Sequence, residues 1–286
     1  MEDEEKAKLI NQALNRSASA FMFQIKAFEN EHTQKTLNTG IVGYIKLFED
    51  NVELLAKSID RLNYVSKDGW EIWDLDKQIQ SVLISRTPKT LTSAHNLIIT
   101  GYYDEGLAVC RMAYENLLAI CFLQKNPQNA DSVITYGFKK QFKKQLKLPS
   151  EKEFKPSNVL TQELKIAEED EMYSFLSMPI HGNKFAVWND IMNAQKGCGF
   201  TFNLGFSYDE EDLSLAFNHL MAILYLSLCL FKCIFGKYLK DTQLLDDKAI
   251  EALKIFIGDS PDNHFFAKYP EVVDKILAAI QIKNNN

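Results

Sequence analysis

Four side chains in this sequence stand at spacings that suit chemistry on an anion. Arg111 and Glu115 are four residues apart, and so are Ser177 and His181, separated by a Met178-Pro179 step that breaks a helix and aims polar groups inward. A histidine near its ordinary pKa can act as base, acid or anion donor at neutral pH. An arginine carries five N–H donors, and one carboxylate satisfies only part of that fork. Arginine is also scarce: of 32 basic residues only Arg16, Arg61, Arg86 and Arg111 are arginines.

The helix that must carry Arg111 runs from about Tyr103 to Lys125 and is ended by Asn126-Pro127. On a wheel with Arg111 at zero, Leu107, Leu118 and Phe122 fall within about 40° of it, and Glu115 within about 40° on the other side. The opposite side carries Val109, Met112, Ala113, Ile120 and Leu123. A helix apolar on nearly all sides is a buried one, so Arg111 and Glu115 are expected to be buried and paired, with further polar partners from another helix. Two readings stay open: a structural ion pair that fixes packing, and a polar site inside a bundle with Arg111, Glu115, Ser177 and His181 as its catalytic set.

Lys139, Lys140, Lys143, Lys144 and Lys147 fall within about 140° on a wheel and form one basic face. It is read either as an RNA or acidic-partner contact or as a solvated face, which the acidic run 168–171 would answer. No metal site is expected: Cys229 and Cys233 lack partners at zinc spacing, and Glu29-x-x-His32 stands alone. No cofactor is expected either, because P-loop, G-x-G-x-x-G and Gly-x-Ser-x-Gly patterns are missing.

The elements that position these residues read as helices nearly throughout. The 286 residues hold 12 Gly and 7 Pro, about 7% against a typical ~12%, too few for the turns of a sandwich or barrel. The fold class is therefore all-α, a multi-helix bundle of about eight to ten helices. A first helix is expected over 4–30 and a second from about Thr39 to Leu62. Residues 66–76 make a break whose two tryptophans fold back on the helices. Thr87-Pro88 reads as a cap and first position of a helix that stops at Gly101. Further helices are expected at 129–147 and from Val159 to Ser177. Ser207 and Glu210 read as a capping box for a long apolar helix over 208–239, and two short pieces follow around Gly258. This divides the chain into an N-terminal helical extension (1–84), a core bundle (85–240) and a helical tail (241–286).

A formal charge of −6 argues against a surface built throughout for nucleic acid, and no DNA partner is expected. The acidic start, MEDEEKAKLI, is no signal peptide. Five unpaired-looking cysteines (Cys110, Cys121, Cys198, Cys229, Cys233) suit a reducing compartment. The apolar run Leu220–Phe231 is 12 residues long, short of the ~20 that span a bilayer. A cytoplasmic protein with no membrane partner is expected, and surplus apolar surface suggests a homodimer.

The string Gly101-Tyr-Tyr-Asp-Glu-Gly-Leu-Ala-Val-Cys-Arg111-Met-Ala-Tyr-Glu115, followed by Tyr173-x-x-x-Ser177-x-x-x-His181, resembles a poorly characterised bacterial all-helical family. That family looks like a distant relative of the HEPN domains of toxin–antitoxin and abortive-infection systems. The resemblance covers roughly 85–240 and implies a HEPN-like core. Many HEPN proteins are metal-independent ribonucleases with an Arg-x(4–6)-His motif; here no arginine stands four to seven positions before His181. Two functions stay open. One is a HEPN-like intracellular effector directed at RNA in bacterial stress or antiviral defence, with Arg111 on the phosphate charge, Glu115 orienting it, Ser177 on the phosphate and His181 as base or acid. The other is a non-catalytic protein- or ligand-binding module whose Arg/Glu/His cluster is structural.

Overall fold

The computed structural model describes residues 2–65, 73–136, 153–166, 170–178, 208–239, 247–259 and 264–281. Among the described residues every regular element is helical. They are α1 (Glu2–Leu37), α2 (Val42–Val65), α3 (Leu75–Ile99), α4 (Tyr103–Lys125), α5 (Ala130–Ile134), a π-helix (Val159–Leu164), α6 (Glu171–Ser177), α7 (Glu210–Phe235), α8 (Asp247–Gly258) and α9 (His264–Gln281), with short 3₁₀ turns between some of them.

Helix α7 is the central column because its sequence leaves it no polar face: 18 of its 26 residues are buried. Its ends are marked electrostatically. Asp209 caps it, accepting from the Glu211 and Asp212 N–H groups at 2.8 and 3.2 Å, with three acidic residues in the first turn and Lys232 in the last. The cap is thus Asp209 rather than a Ser207–Glu210 box, and Ser207 lies outside the described residues. Helices α3 and α4 pack on each other and on α7; α2, α8 and α9 also pack against α7. By length and composition both α4 and the segment Glu210–Leu239 could cross a membrane, and 67% and 83% of their apolar windows are buried inside the fold.

The α3–α4 hairpin turns at Gly101. The Tyr102 N–H donates to the Leu97 carbonyl at 2.9 Å and the Gly101 N–H to that of Ile98 at 3.1 Å, a helix stop that needs a left-handed residue. Gly101 supplies it with φ of 92°. Its bare Cα also seats α1, since a Cβ there would lie 2.8 Å from the His32 ring. Gly106 lets the two helices approach closely: a Cβ would meet the Ile98 side chain at 2.6 Å.

Several boundaries differ from the sequence reading. Helix α3 does not begin at Pro88 but runs through it from Leu75, and so passes unbroken through residues 84 and 85. An interior proline forfeits a backbone bond and crowds the carbonyl four residues back, at a cost of about 3 kcal/mol. Burial of Ile84, Thr87 and Leu91 along one face outweighs it, and the Thr87 hydroxyl bonds back to the Leu83 carbonyl instead of capping. The helix expected over 159–177 is two elements. The π-helix ends where Lys165 turns left-handed at φ 56°, and α6 starts anew under an Asp170 cap. Of the stretch 129–147 only the part to Tyr136 is described. Trp73 stacks on Phe235 and lies tilted against Tyr238, as a fold-back requires; Trp70 lies outside the described residues. The last helix is 18 residues, not a short piece, and it buries Phe266, Tyr269, Val273, Ile276 and Ile280.

Gly101→Ala is expected to lower stability by about 1–3 kcal/mol from backbone strain, with the His32 contact adding to it. Urea unfolding followed by circular dichroism should show an earlier midpoint; an unchanged midpoint would contradict this account of the turn.

Candidate functional site

Arg111 and Glu115 lie on the flank of α4, in its first half, where only one face of the helix is covered. Leu107, Cys110, Ala113, Tyr114 and Leu117 form that buried face, while Met112 is 58% exposed. The helix becomes buried on all sides only from Leu117 to Leu123. The wheel averaged these two halves, so it placed Arg111 and Glu115 deeper than they are. Their side chains retain 12% and 23% exposure.

The cover over this pair is α6. Its Tyr173 lies against Arg111, the guanidinium carbon 4.9 Å from the ring centroid. Arg111 Nε donates to Glu115 Oε1 at 2.9 Å, and Nη2 donates to the Tyr173 hydroxyl, also at 2.9 Å. The same hydroxyl donates to Glu115 Oε1 at 3.3 Å, closing the circuit. Burial opposes the Arg111 charge, but Tyr173 and Glu115 more than offset it, and its pKa rises. Burial and the Glu115 carboxylate together push the Tyr173 phenol up. Tyr136, 42% exposed, stands at the rim of this cluster. Its hydroxyl is raised by burial and by Glu115.

Directly beneath is a second polar layer. Asp170, buried at 7% exposure, caps α6 by accepting the Tyr173 N–H at 3.0 Å. It also accepts the hydroxyl of Tyr114, at 3.1 and 3.2 Å to its two oxygens. Burial pushes its pKa up to about 6, even though these two hydrogen bonds act to lower it. Tyr269 of α9 is fully buried, its hydroxyl without a hydrogen-bond partner among the described residues, and its pKa is raised by burial and by Asp170. Asp170 is therefore not part of a surface acidic run that answers lysines. One residue of that run has turned inward to start a helix.

Of the residues named from sequence, Arg111 and Glu115 pair as expected. The Ser177 hydroxyl donates to the Tyr173 carbonyl at 2.6 Å within its own helix. His181 and the lysines 139, 140, 143, 144 and 147 lie outside the described residues. Sequence reasoning missed Tyr114, Tyr136 and Asp170 as site residues. Tyr114 was the most findable, being three residues from Arg111 and the one hydroxyl on the buried face of α4. His219 was overlooked as well. It is fully buried on α7, stacked 4.2 Å from Phe175 of α6 and edge-on to Phe266 of α9 at 4.7 Å. Its Nδ1 is 2.8 Å from the Leu215 carbonyl, and burial lowers its pKa to about 4. That is a neutral core histidine.

Residues 78–176 match a family of unknown function, DUF5677. No curated protein and no solved structure matches the chain. The similar region begins in the first turn of α3 and ends one residue before the end of α6. It therefore contains Arg111, Tyr114, Glu115, Tyr136, Asp170 and Tyr173, while Ser177 and His181 follow it.

A carboxyl whose folded pKa lies above its unfolded value stabilises the protein most at low pH, and that stability is lost as pH rises through the folded pKa. For Asp170 the window is from about 4 to about 6, and the cost of ionising it at neutral pH is about 3 kcal/mol. Asp170→Asn keeps an acceptor for both donors without the charge. It should raise stability at pH 7.5 and lose that advantage by pH 4. His219 acts oppositely, costing stability below pH 6.5, so the measurement is the difference between variant and wild type in urea unfolding across pH 4–8. A difference that does not vary with pH would show that Asp170 does not titrate in this range.

Proposed function

We propose that this protein is a HEPN-like intracellular effector directed at RNA, acting in bacterial stress or phage defence, with its site at the seam between α4 and α6. The observation that carries this reading is a guanidinium lying on a tyrosine beside a second, half-exposed tyrosine. Arg111 on Tyr173, with Tyr136 and the exposed Met112 at the rim, suits an unpaired RNA segment, whose bases stack on aromatic rings while its phosphates seek cations. In sequence, the lysine-rich stretch begins three residues after Tyr136, and His181 follows the end of α6 by four residues.

In this reading His181 removes the proton from a ribose 2′-hydroxyl, or returns one to the leaving 5′-oxygen, and Arg111 meets the charge that builds on the phosphorus oxygens. Glu115 orients Arg111. Ser177, whose hydroxyl proton is given to the Tyr173 carbonyl, has oxygen lone pairs but no proton to offer a phosphate until that bond breaks. The arginine arrives from α4 rather than from a position shortly before the histidine, so the site is assembled across helices.

A second reading is favoured by the closed Arg111–Glu115–Tyr173 circuit. There the cluster fastens α6 to α4, and the protein is a non-catalytic module that binds a protein or ligand. The two differ in what His181→Ala does. Under the effector reading, expression of the wild type arrests growth and degrades RNA, and Arg111→Ala or His181→Ala abolishes both while circular dichroism stays native. If wild type and both folded variants behave alike, the effector reading is wrong.

A further inference from the structure

Helix α1 is 36 residues, about 54 Å of helix at 1.5 Å per residue. Among its described side chains only His32 and Thr36, near the C-terminal end, are buried. One turn of it presents Met22, 51% exposed, and Phe23, 76% exposed, with Lys26 three and four residues on and hence on the same side. Lys26 is exposed and has no ion-pair partner among the described residues. On the body of the protein an apolar groove of about 380 Å³ runs between the start of α2, α7 and α8. Ile41, Tyr44, Phe217, Ile255 and Phe256 line it together with Asp259. Asp259 is exposed and likewise has no ion-pair partner among the described residues.

We infer that the groove is the seat of α1 from a second copy of this chain, with Met22 and Phe23 inserted against Tyr44, Phe217 and Ile255 and with Lys26 paired to Asp259. The two surfaces complement each other: each is mainly apolar, each carries one charge without an ion-pair partner among the described residues, and the charges have opposite sign. A long helix whose described side chains before His32 are all unburied gains little from propensity alone and is stabilised by packing an apolar face. Both surfaces occur on every copy, and the proposed contact is reciprocal, each copy seating the other's α1 about a two-fold axis, so that the assembly closes as a dimer instead of propagating.

The test is sedimentation velocity on the full chain across a micromolar concentration series. The wild type should sediment at twice the monomer mass. Phe23→Asp and Ile255→Asp, both at exposed positions, should each weaken dimerisation on the order of 30-fold or more, as loss of a buried anchor does, with unchanged circular dichroism. Lys26→Asp alone and Asp259→Lys alone should each weaken it, and the combined swap should restore it. A monomeric wild type, a dimer indifferent to Phe23→Asp and Ile255→Asp, or a charge swap that fails to restore association would each overturn the inference. An apolar peptide or small molecule that fills the groove of a monomer would do so too.

Discussion

Everything in this fold answers to the desolvation of α7. A helix with apolar residues on every side has no stable position at a surface, and each buried leucine, isoleucine or phenylalanine contributes roughly 1.5–3 kcal/mol only when it is covered. The cover is supplied by α3 and α4 as a tight hairpin, by α2, and by α8 and α9 from the end of the chain. The C-terminal helices are part of that cover: Phe266, Tyr269 and Val273 have almost no exposure. At the α3–α4 crossing and under His32, glycine allows closer approach than a Cβ permits.

Coverage of α4 is uneven, and the polar chemistry sits where it changes. Past Leu117 the helix is buried on every side; before it, one face suffices. Seven-residue α6 closes the gap at that transition, and it is held at three points. Asp170 and Tyr173 bond to α4 side chains, and Phe175 stacks on His219 of α7. A helix this short has little stability of its own, so these side-chain contacts determine where it lies. Two of its anchors carry opposed proton linkages. Asp170 is mainly neutral below about pH 6, and His219 is mainly neutral above about pH 4. Between those values both groups can be uncharged, which is when the dry side of α6 costs least to bury.

The bundle was legible in the sequence because helical periodicity and the scarcity of glycine and proline are summed over many residues. The α4 boundaries and the Gly101 stop were legible for a local reason: a left-handed stop and an Asn-Pro pair act on the backbone where they stand. Pro88 misled because its local preference, worth about 3 kcal/mol, competes with burial that the sequence does not display; Ile84 and Leu91, one turn before and after it, decide the matter from the buried face beside it. The π-helix and the restart at Asp170 were illegible for a related reason. An aspartate in the run 168–171 looks like solvated charge until a tyrosine from α4 is seen to donate to it. The Arg111–Glu115 pair was readable from its spacing, whereas its depth depended on neighbours that a helical wheel does not contain.

The partial burial of Arg111 bears directly on which function the seam can serve. Sealed completely, a guanidinium paired to Glu115 and Tyr173 would be a packing device, because an anion could reach it only after removing α6. Fully open, it would be screened by solvent and would discriminate poorly among anions. With 12% of the side chain exposed and Tyr173 lying against the guanidinium, an incoming phosphate would reach Arg111 most directly by exchange for a bond it holds. Tyr173 is the partner that exchange would release most readily. Its hydroxyl is neutral and shared with Glu115, whereas the Glu115 carboxylate is charged and on the same helix. Loss of the tyrosine hydroxyl bond would leave the Arg111–Glu115 pair in place, with the phenol ring still placed to stack. The Tyr173 hydroxyl bond is thus where a structural clamp and a phosphate site would differ, and α6 is the element that would have to move between them.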